Sequence, residues 1–376
     1  MILNPRFPQI LQGSITYNTI SRHTEIFDFT GFIPYWYIEV GDIHSLTDTI
    51  LYEIIPKTIL GLLQTKKIKL AIVNSFEGMH NIIEVIYENL ILKRKIPEEN
   101  IIVFSESFSI DTTIVECASR FKLKPIKSYL PMVAEYSTAM HWKLTNQNKV
   151  TQKKYICLNR RWRPHRPALI GLLCAKNLLD DGYVSLISTK NENWGNTIDW
   201  IIELNDSNAI VKSLLKTNKD KISNLPNLVV DLEEVEDYNK IWGFRDYTEP
   251  FYSSTYFSVV TETYFYDSEN GICVTEKIFR PMCYKHPFIV LARPKFLETV
   301  RSLGYQTFNS IIDESYDTEE DDSSRLLMVV NEIEKLCKMP IEDLEHKMEQ
   351  CRLICEHNYN LLLSKKTQPK RKLDNK

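Results

Sequence analysis

The sequence predicts an α/β protein of two consecutive units, each a parallel sheet flanked by helices, facing across a cleft and followed by a C-terminal helix. Three observations carry that expectation. Short apolar runs rich in Val, Ile and Tyr alternate with apolar periods of 3.6 residues, the pattern of strands alternating with helices. The alternation lapses once, in a polar stretch near the middle, and then resumes. The length, 376 residues, suits two ordinary domains.

In the first half, KLAIVNS (69–75) reads as a buried strand and 81–93 as a helix. NIIVFSES (100–107) reads as the next strand and TTIVECASRF (112–121) as the next helix. This βαβα pattern makes residues 1–148 a Rossmann-like N-terminal domain. Between 136 and 154 the period weakens into STAMHWKLTNQNKVTQKK, which reads as the linker.

A second Rossmann-like domain spans 149–340. It opens with the strand KYICLN (154–159), a helix over about 163–180 and the strand YVSLIS (183–188). That helix carries Leu169, Leu172, Leu173 and Leu179 on one face, with Pro164 and Pro167 tolerated near its first turn. LVVDLE (228–233), TYFSVVTE (255–262) and HPFIVLA (286–292) supply further strands, and VTEKIFRPMCYK (274–285) a short helix. PKFLETVRSLG (294–304) and SSRLLMVVNEIEKLC (323–337) read as helices. Residues 341–363 read as one last long helix, and 364–376, with six Lys or Arg against one Asp, as a basic disordered tail.

Composition narrows the function. A net charge of −3 gives no overall field to recruit nucleic acid. No apolar run approaches the roughly 18 residues of a membrane span, and the N-terminal MILNPRFPQILQG has no signal design. The eight cysteines, without a Cys-x-x-Cys, fit a reducing compartment, so a cytoplasmic location is expected. His346, Cys351, Cys355 and His357 lie in an amphipathic helical pattern, not at metal-ligand spacing. The acidic run DESYDTEEDD (313–322) reads as solvated charge. No metal site is expected.

Only 11 residues are glycine, and neither G-x-G-x-x-G nor G-x-x-x-x-G-K-[ST] occurs. If a nucleotide is bound, side-chain cations must hold much of its phosphate. NRRWRPHR (159–166) follows a strand and opens a helix, so Arg160, Arg161, Arg163, His165 and Arg166 fall at the carboxyl edge of the sheet, where ligands of open α/β folds bind. Such crowding of cations suits an anion; the competing reading pairs them with acids of the other domain. In VTEKIFRPM (274–282), Thr275 is an N-cap, and Glu276 and Lys277 occupy the first turn. Arg280 is spaced to pair with Glu276, and Pro281 should kink or end the helix. Glu262 ends a strand at the same edge, and 263–274 reads as a loop over it with Gly271 as hinge.

A strand-end glutamate, a loop, TEK opening a helix, and an apolar strand after HPF together resemble the donor-binding half of GT-B nucleotide-sugar glycosyltransferases. The motif is similar to the α1,3-fucosyltransferase type, with VTEK here for ITEK. Residues 275–317 also resemble glycosyltransferases common in phage and giant-virus genomes. The resemblance spans about 155–336 and is strongest over 259–317. It departs at the strand end, VTET for a FEN-like sequence, and in a longer loop before TEK.

The resemblance implies a GT-B-like fold whose second domain holds a nucleotide-sugar donor, a GDP- or UDP-sugar, with no cofactor or metal required. The acceptor, a glycan or a modified DNA base, would face the first domain. Glu276 would hold the ribose, Lys277 the diphosphate together with Arg160 or Arg161, and Glu262 would lie near nucleotide or sugar. Arg163 and Arg280 join the donor-binding set. A first-domain carboxylate would serve as base, Glu77 in NSFEG before Glu106 in FSES. If the protein is viral, its compartment is the host cytoplasm. The alternative is a non-catalytic nucleotide- or nucleic-acid-binding protein.

Overall fold

A computed structural model describes residues 27–28, 35–39, 55, 57–74, 81–132, 134–135, 138–139, 151–159, 162–186, 193–228, 249–266, 271–368 and 371–372. The chain divides into two compact units. The first comprises Met1–Ser137 with Asn270–Val274 and Gln368–Lys376, and the second Thr138–Glu269 with Thr275–Thr367.

The first unit runs β1 (Phe27–Asp28), β2 (Tyr35–Glu39), α1 (Lys57–Gln64), β3 (Lys69–Asn74), α2 (Asn81–Val85), β4 (Ile101–Ser105), α3 (Ile110–Phe121) and β5 (Lys127–Tyr129). Its parallel sheet follows chain order, β2-β3-β4-β5, with Leu70 opposite Ile101. β3 and β4 are nearly all apolar because both strands are buried. α3 buries Ile110, Ile114, Cys117 and Ala118, an i, i+4, i+7, i+8 stripe. It ends where Lys122 turns left-handed and Leu123 N–H reaches the Ala118 carbonyl at 2.9 Å. The helix expected over 81–93 is present, but Ile86–Lys93 is wound as π-helix. Tyr87 then pins the entry to β5, donating to the Lys124 carbonyl and accepting from Ile126 N–H, both at 3.0 Å.

The second unit contains β6 (Tyr155–Asn159), α4 (His165–Ala175), β7 (Gly182–Leu186), α5 (Trp194–Leu204), α6 (Ala209–Thr217), α7 (Lys219–Ser223), α8 (Glu249–Ser253), β8 (Phe257–Thr261), α9 (Glu276–Cys283), β9 (Phe288–Leu291), α10 (Phe296–Ser302), α11 (Asp322–Lys338), α12 (Ile341–Gln350) and α13 (Arg352–Ser364). Among the described residues its sheet has four parallel strands in the order β7-β6-β8-β9, with Tyr155 opposite both Gly182 and Phe257. The order reverses at β6, so right-handed crossovers send α4 and α9 to opposite faces of the sheet. Gly182 is required where β7 starts: a Cβ there would stand 2.4 Å from the buried Tyr155 ring.

The α/β class and the two parallel sheets agree with the sequence. Several details differ. α4 stops at Ala175, short of 180, because Asn177 adopts φ 56° and Leu178 N–H bonds the Leu173 carbonyl at 2.9 Å. Leu228 pairs with Leu186 as an antiparallel bridge, and the rest of the expected strand 229–233 lies outside the described residues. Helices α5 to α7 are additional; Asn193 and Asn208 cap the first two through Asn196 N–H and through Ile210 and Val211 N–H. The last helix is two, α12 and α13, divided where Cys351 N–H tightens to the Met348 carbonyl at 3.1 Å.

Two segments expected elsewhere belong with the first unit. Cys273 bridges to Ser107, and Phe108 N–H donates to the Ile272 carbonyl at 2.9 Å. The basic tail is not wholly free: Arg371–Lys372 forms β10, parallel to β1. Among the described residues no helix is long and apolar enough to cross a membrane. All eight cysteines are buried free thiols.

Candidate functional site

Where strand order reverses, the crevice beyond the carboxyl ends of β6 and β8 is the place in an open α/β sheet for a ligand. Side chains tie those ends together. Thr261 at the end of β8 hydrogen-bonds Asn159 Oδ1 at the end of β6, and Asn159 N–H reaches Ser185 Oγ on β7 at 3.0 Å. From the first turn of α4, His165 Nε2 donates to the Glu262 carbonyl at 2.9 Å. Arg166, also buried, donates to the Thr261 carbonyl at 3.3 Å. The His165 ring lies tilted against Phe265 and edge-on to Tyr266.

His165 is therefore not one of the cations. Burial, then the neighbouring charge of Arg166, pushes its pKa well below the ordinary value, so the ring is neutral. A carbonyl can only accept, which puts the proton on Nε2 and leaves Nδ1 a buried acceptor with no partner among the described residues.

The opposite wall is α9. Thr275 caps it, accepting from Lys277 N–H at 3.3 Å, and donates its hydroxyl proton to Glu262 Oε2 at 2.6 Å. Lys277 Nζ lies 3.3 Å from Thr263 Oγ1, 3.2 Å from Thr275 Oγ1 and 3.1 Å from Glu276 Oε1. Three residues thus converge on one ammonium group.

The two glutamates of this cluster are opposites. Glu262 is 1% exposed, and among the described residues its Oε1 has no hydrogen-bond partner. Burial raises its pKa to about 7, against the lowering by Lys277 and by the Thr275 hydroxyl. The Glu276 side chain is 44% exposed. Partial burial would raise its pKa too, but the Lys277 and Arg280 charges outweigh that and hold it at about 2. Near neutrality one carboxyl is midway through titration below the surface, and the other is a fixed anion facing solvent. The close ion pair of Glu276 is with Lys277, where spacing alone suggested Arg280.

Arg325 braces the loop after β8. It is 1% exposed and donates to the Ala292 carbonyl at 3.0 Å, Phe265 at 2.8 Å and Glu319 at 2.7 Å, while its guanidinium stands over the Phe265 ring. The acidic run is largely structural as well. Asp317 caps α10 through Leu297 and Glu298 N–H, Asp321 caps α11 through Ser324 N–H, and Glu314 accepts from Phe308 N–H and Thr307. Among the described residues no group of three or more His, Cys, Asp or Glu converges as metal ligands would.

Of the residues singled out in the sequence, Glu262, Glu276 and Lys277 come together. Arg163 is half-buried just before α4, and Arg280 half-buried on the second turn of α9. Arg160, Arg161 and Glu77 lie outside the described residues. Sequence reasoning did not reveal Asn159, Thr263 or Arg325 as parts of the site. The first two were detectable as polar residues at the ends of apolar strands; Arg325 carried no signal, being one more charge in a helix. A cavity of about 400 Å³ opens at the other end of the sheet, lined by Thr151, Tyr256, Lys285, Glu345 and Arg352. It lies before the amino ends of β6, β8 and β9, away from the switch point, and its Tyr256 hydroxyl is satisfied by Glu345 at 2.8 Å.

No family model and no curated protein matches the chain. Among solved structures it is similar to the crystal structure of an alpha,alpha-trehalose-phosphate synthase (UDP-forming) from Burkholderia vietnamiensis. The TM-score is 0.37 and the identity 10%, over 88% of this chain and 72% of that chain. A likeness that distant says nothing of which side chains act.

Proposed function

We propose that this protein is a glycosyltransferase that moves a sugar from a UDP- or GDP-sugar to an acceptor hydroxyl, on a glycan or a modified nucleobase. The observation that carries the reading is the pairing of a solvent-facing carboxylate, Glu276, with the ammonium of Lys277 on the first turn of α9 at the switch point. A carboxylate ionised down to about pH 2 suits a vicinal ribose diol, accepting from both hydroxyls. An ammonium at a helix N-terminus suits the diphosphate. Arg163, with Arg160 or Arg161, would supply further donors to it.

As the glycosidic bond breaks, charge grows on the departing diphosphate, and cations fixed beside it favour the transition state more than the ground state. Holding this charge with side chains makes the reaction metal-independent. The acceptor hydroxyl needs a carboxylate base within hydrogen-bond reach, and Glu77 is our assignment.

The test is a panel of UDP-, GDP- and ADP-sugars scored by thermal shift and by sugar transfer or hydrolysis. A UDP- or GDP-sugar should raise the melting temperature by mass action and be consumed. Stabilisation without turnover on any acceptor would favour a non-catalytic nucleotide-binding protein. Stabilisation only by oligonucleotide, weakening with salt, would favour nucleic-acid binding.

A further inference from the structure

We infer that Glu262 works beneath the ligand and not on it: anion binding at Lys277 is accompanied by uptake of a proton on Glu262. The inference rests on the reading of Lys277 as the phosphate-binding cation.

The geometry is a three-group chain. Lys277 Nζ lies 3.2 Å from Thr275 Oγ1, and Thr275 Oγ1 donates to Glu262 Oε2 at 2.6 Å. One hydroxyl separates the ammonium from a carboxyl that is 1% exposed and whose other oxygen has no partner among the described residues. Such a carboxyl cannot touch a ligand, and little solvent screens it from the lysine. Its ionised form relies on the lysine charge, the Thr275 hydroxyl and the Thr263 backbone. A phosphate that takes the lysine donors neutralises the first support and brings negative charge of its own. Both effects favour the protonated carboxyl.

The other groups around Glu262 hold their charge. From α4, His165 donates to the Glu262 carbonyl and is neutral, and Arg166, bound to the Thr261 carbonyl, is a permanent cation. The guanidinium of Arg163, just before α4, acts on His165, and that of Arg280, on α9, acts on Glu276. From α9, Glu276 is ionised down to about pH 2. From β9, the Leu291 carbonyl accepts from Glu262 N–H at 3.0 Å. Glu262, with a pKa of about 7, is the group poised to change.

The size follows from linkage. With the free carboxyl near half protonation at pH 7, binding should take up roughly 0.3–0.5 proton there and almost none at pH 5. Affinity should fall roughly three- to tenfold from pH 6 to pH 9.

Calorimetric titration with UDP-glucose and GDP-fucose at pH 7, in buffers of different ionisation enthalpy, counts the protons. Both ligands have diphosphates esterified at each end, so neither titrates near neutrality. Sodium sulfate, which also carries no titrating proton there, is a third probe, scored as the pH dependence of its thermal shift with Lys277→Met as background. Wild type should show the uptake, and Glu262→Gln should abolish it while keeping affinity at pH 6 within about threefold. If Glu262→Gln does not fold, the pH–stability profile of Lys277→Met serves instead: the Glu262 midpoint should move upward. Binding with buffer-independent enthalpy in wild type overturns the inference and leaves the glycosyltransferase reading standing. Sulfate binding with proton uptake, but no nucleotide-sugar binding, does the reverse. No anion binding at all overturns both.

Discussion

The two sheets are built from the same repeating unit but differ in strand order, and that difference decides where chemistry can sit. In the first unit β2, β3, β4 and β5 stand in chain order, so the crossovers among them leave on one face. In the second the order reverses at β6, and the loops after β6 and β8 part to opposite faces. Into the opening fall a neutral histidine, a buried glutamate near its titration midpoint, and a lysine with an ionised glutamate beside it. The polar contacts of the first sheet do structural work, such as Tyr87 pinning the entry to β5. A parallel sheet alone therefore does not make a site; the reversal does.

Five substitutions press on that contrast, in falling order of effect. Arg325→Met should be the most damaging, at about 3–5 kcal/mol, because it leaves the carbonyls of Ala292, Phe265 and Glu319 without their buried donor. Denaturant melts will show it, and a loss under 1 kcal/mol would mean that the loop after β8 is not braced as described.

Glu262→Gln comes next. The folded-state pKa of about 7 stands above the ordinary 4.5, so folded protein holds the proton longer than unfolded. Wild-type stability should then fall as pH rises from about 4.5 to 7 and level off above. The total is up to about 3 kcal/mol at 1.36 kcal/mol per unit. The variant should lack that descent; an unchanged pH profile would remove Glu262 from this role.

Lys277→Ala should weaken nucleotide-sugar binding roughly 10- to 100-fold, the loss of one charge-assisted contact. Its side chain is 28% exposed, so the melting temperature of free protein should change little. Gly182→Ala should cost about 1–3 kcal/mol by driving a methyl into the Tyr155 ring without touching the site. Lys66→Ala, which breaks the exposed pair with Glu99 in the first unit, should cost under about 1 kcal/mol and leave ligand-induced stabilisation intact.

Much of the fold was legible because strands buried on both faces cannot avoid apolar runs. β3, β4, β6, β8 and β9 appear within a residue or two of where the sequence puts them. The edges were harder. β5 has three residues, none of them fully buried, and β2 has only the five of YWYIE; neither was expected from the sequence. α5 and α6 were marked by Asn193 and Asn208 before apolar periods, capping signals that a search for strands passes over. The division of α12 from α13 has no proline or glycine to announce it.

Within the site, residue types revealed Glu262, Glu276 and Lys277 but not how they differ. Two glutamates look alike in a sequence, and only burial and nearby cations set one near 7 and the other near 2. The same holds for His165, which reads as part of a cationic cluster and is neutral once buried. Strand order, which brings these residues to one edge, is a long-range property that no local period encodes.

Amide hydrogen exchange with and without a nucleotide sugar tests the switch-point site most directly. The account predicts added protection across residues 262–266 and 271–283, where Glu262, Thr275 and the first turn of α9 lie, and none in β3 or β4. Protection confined to the first unit, or binding with no change across those residues, would contradict it.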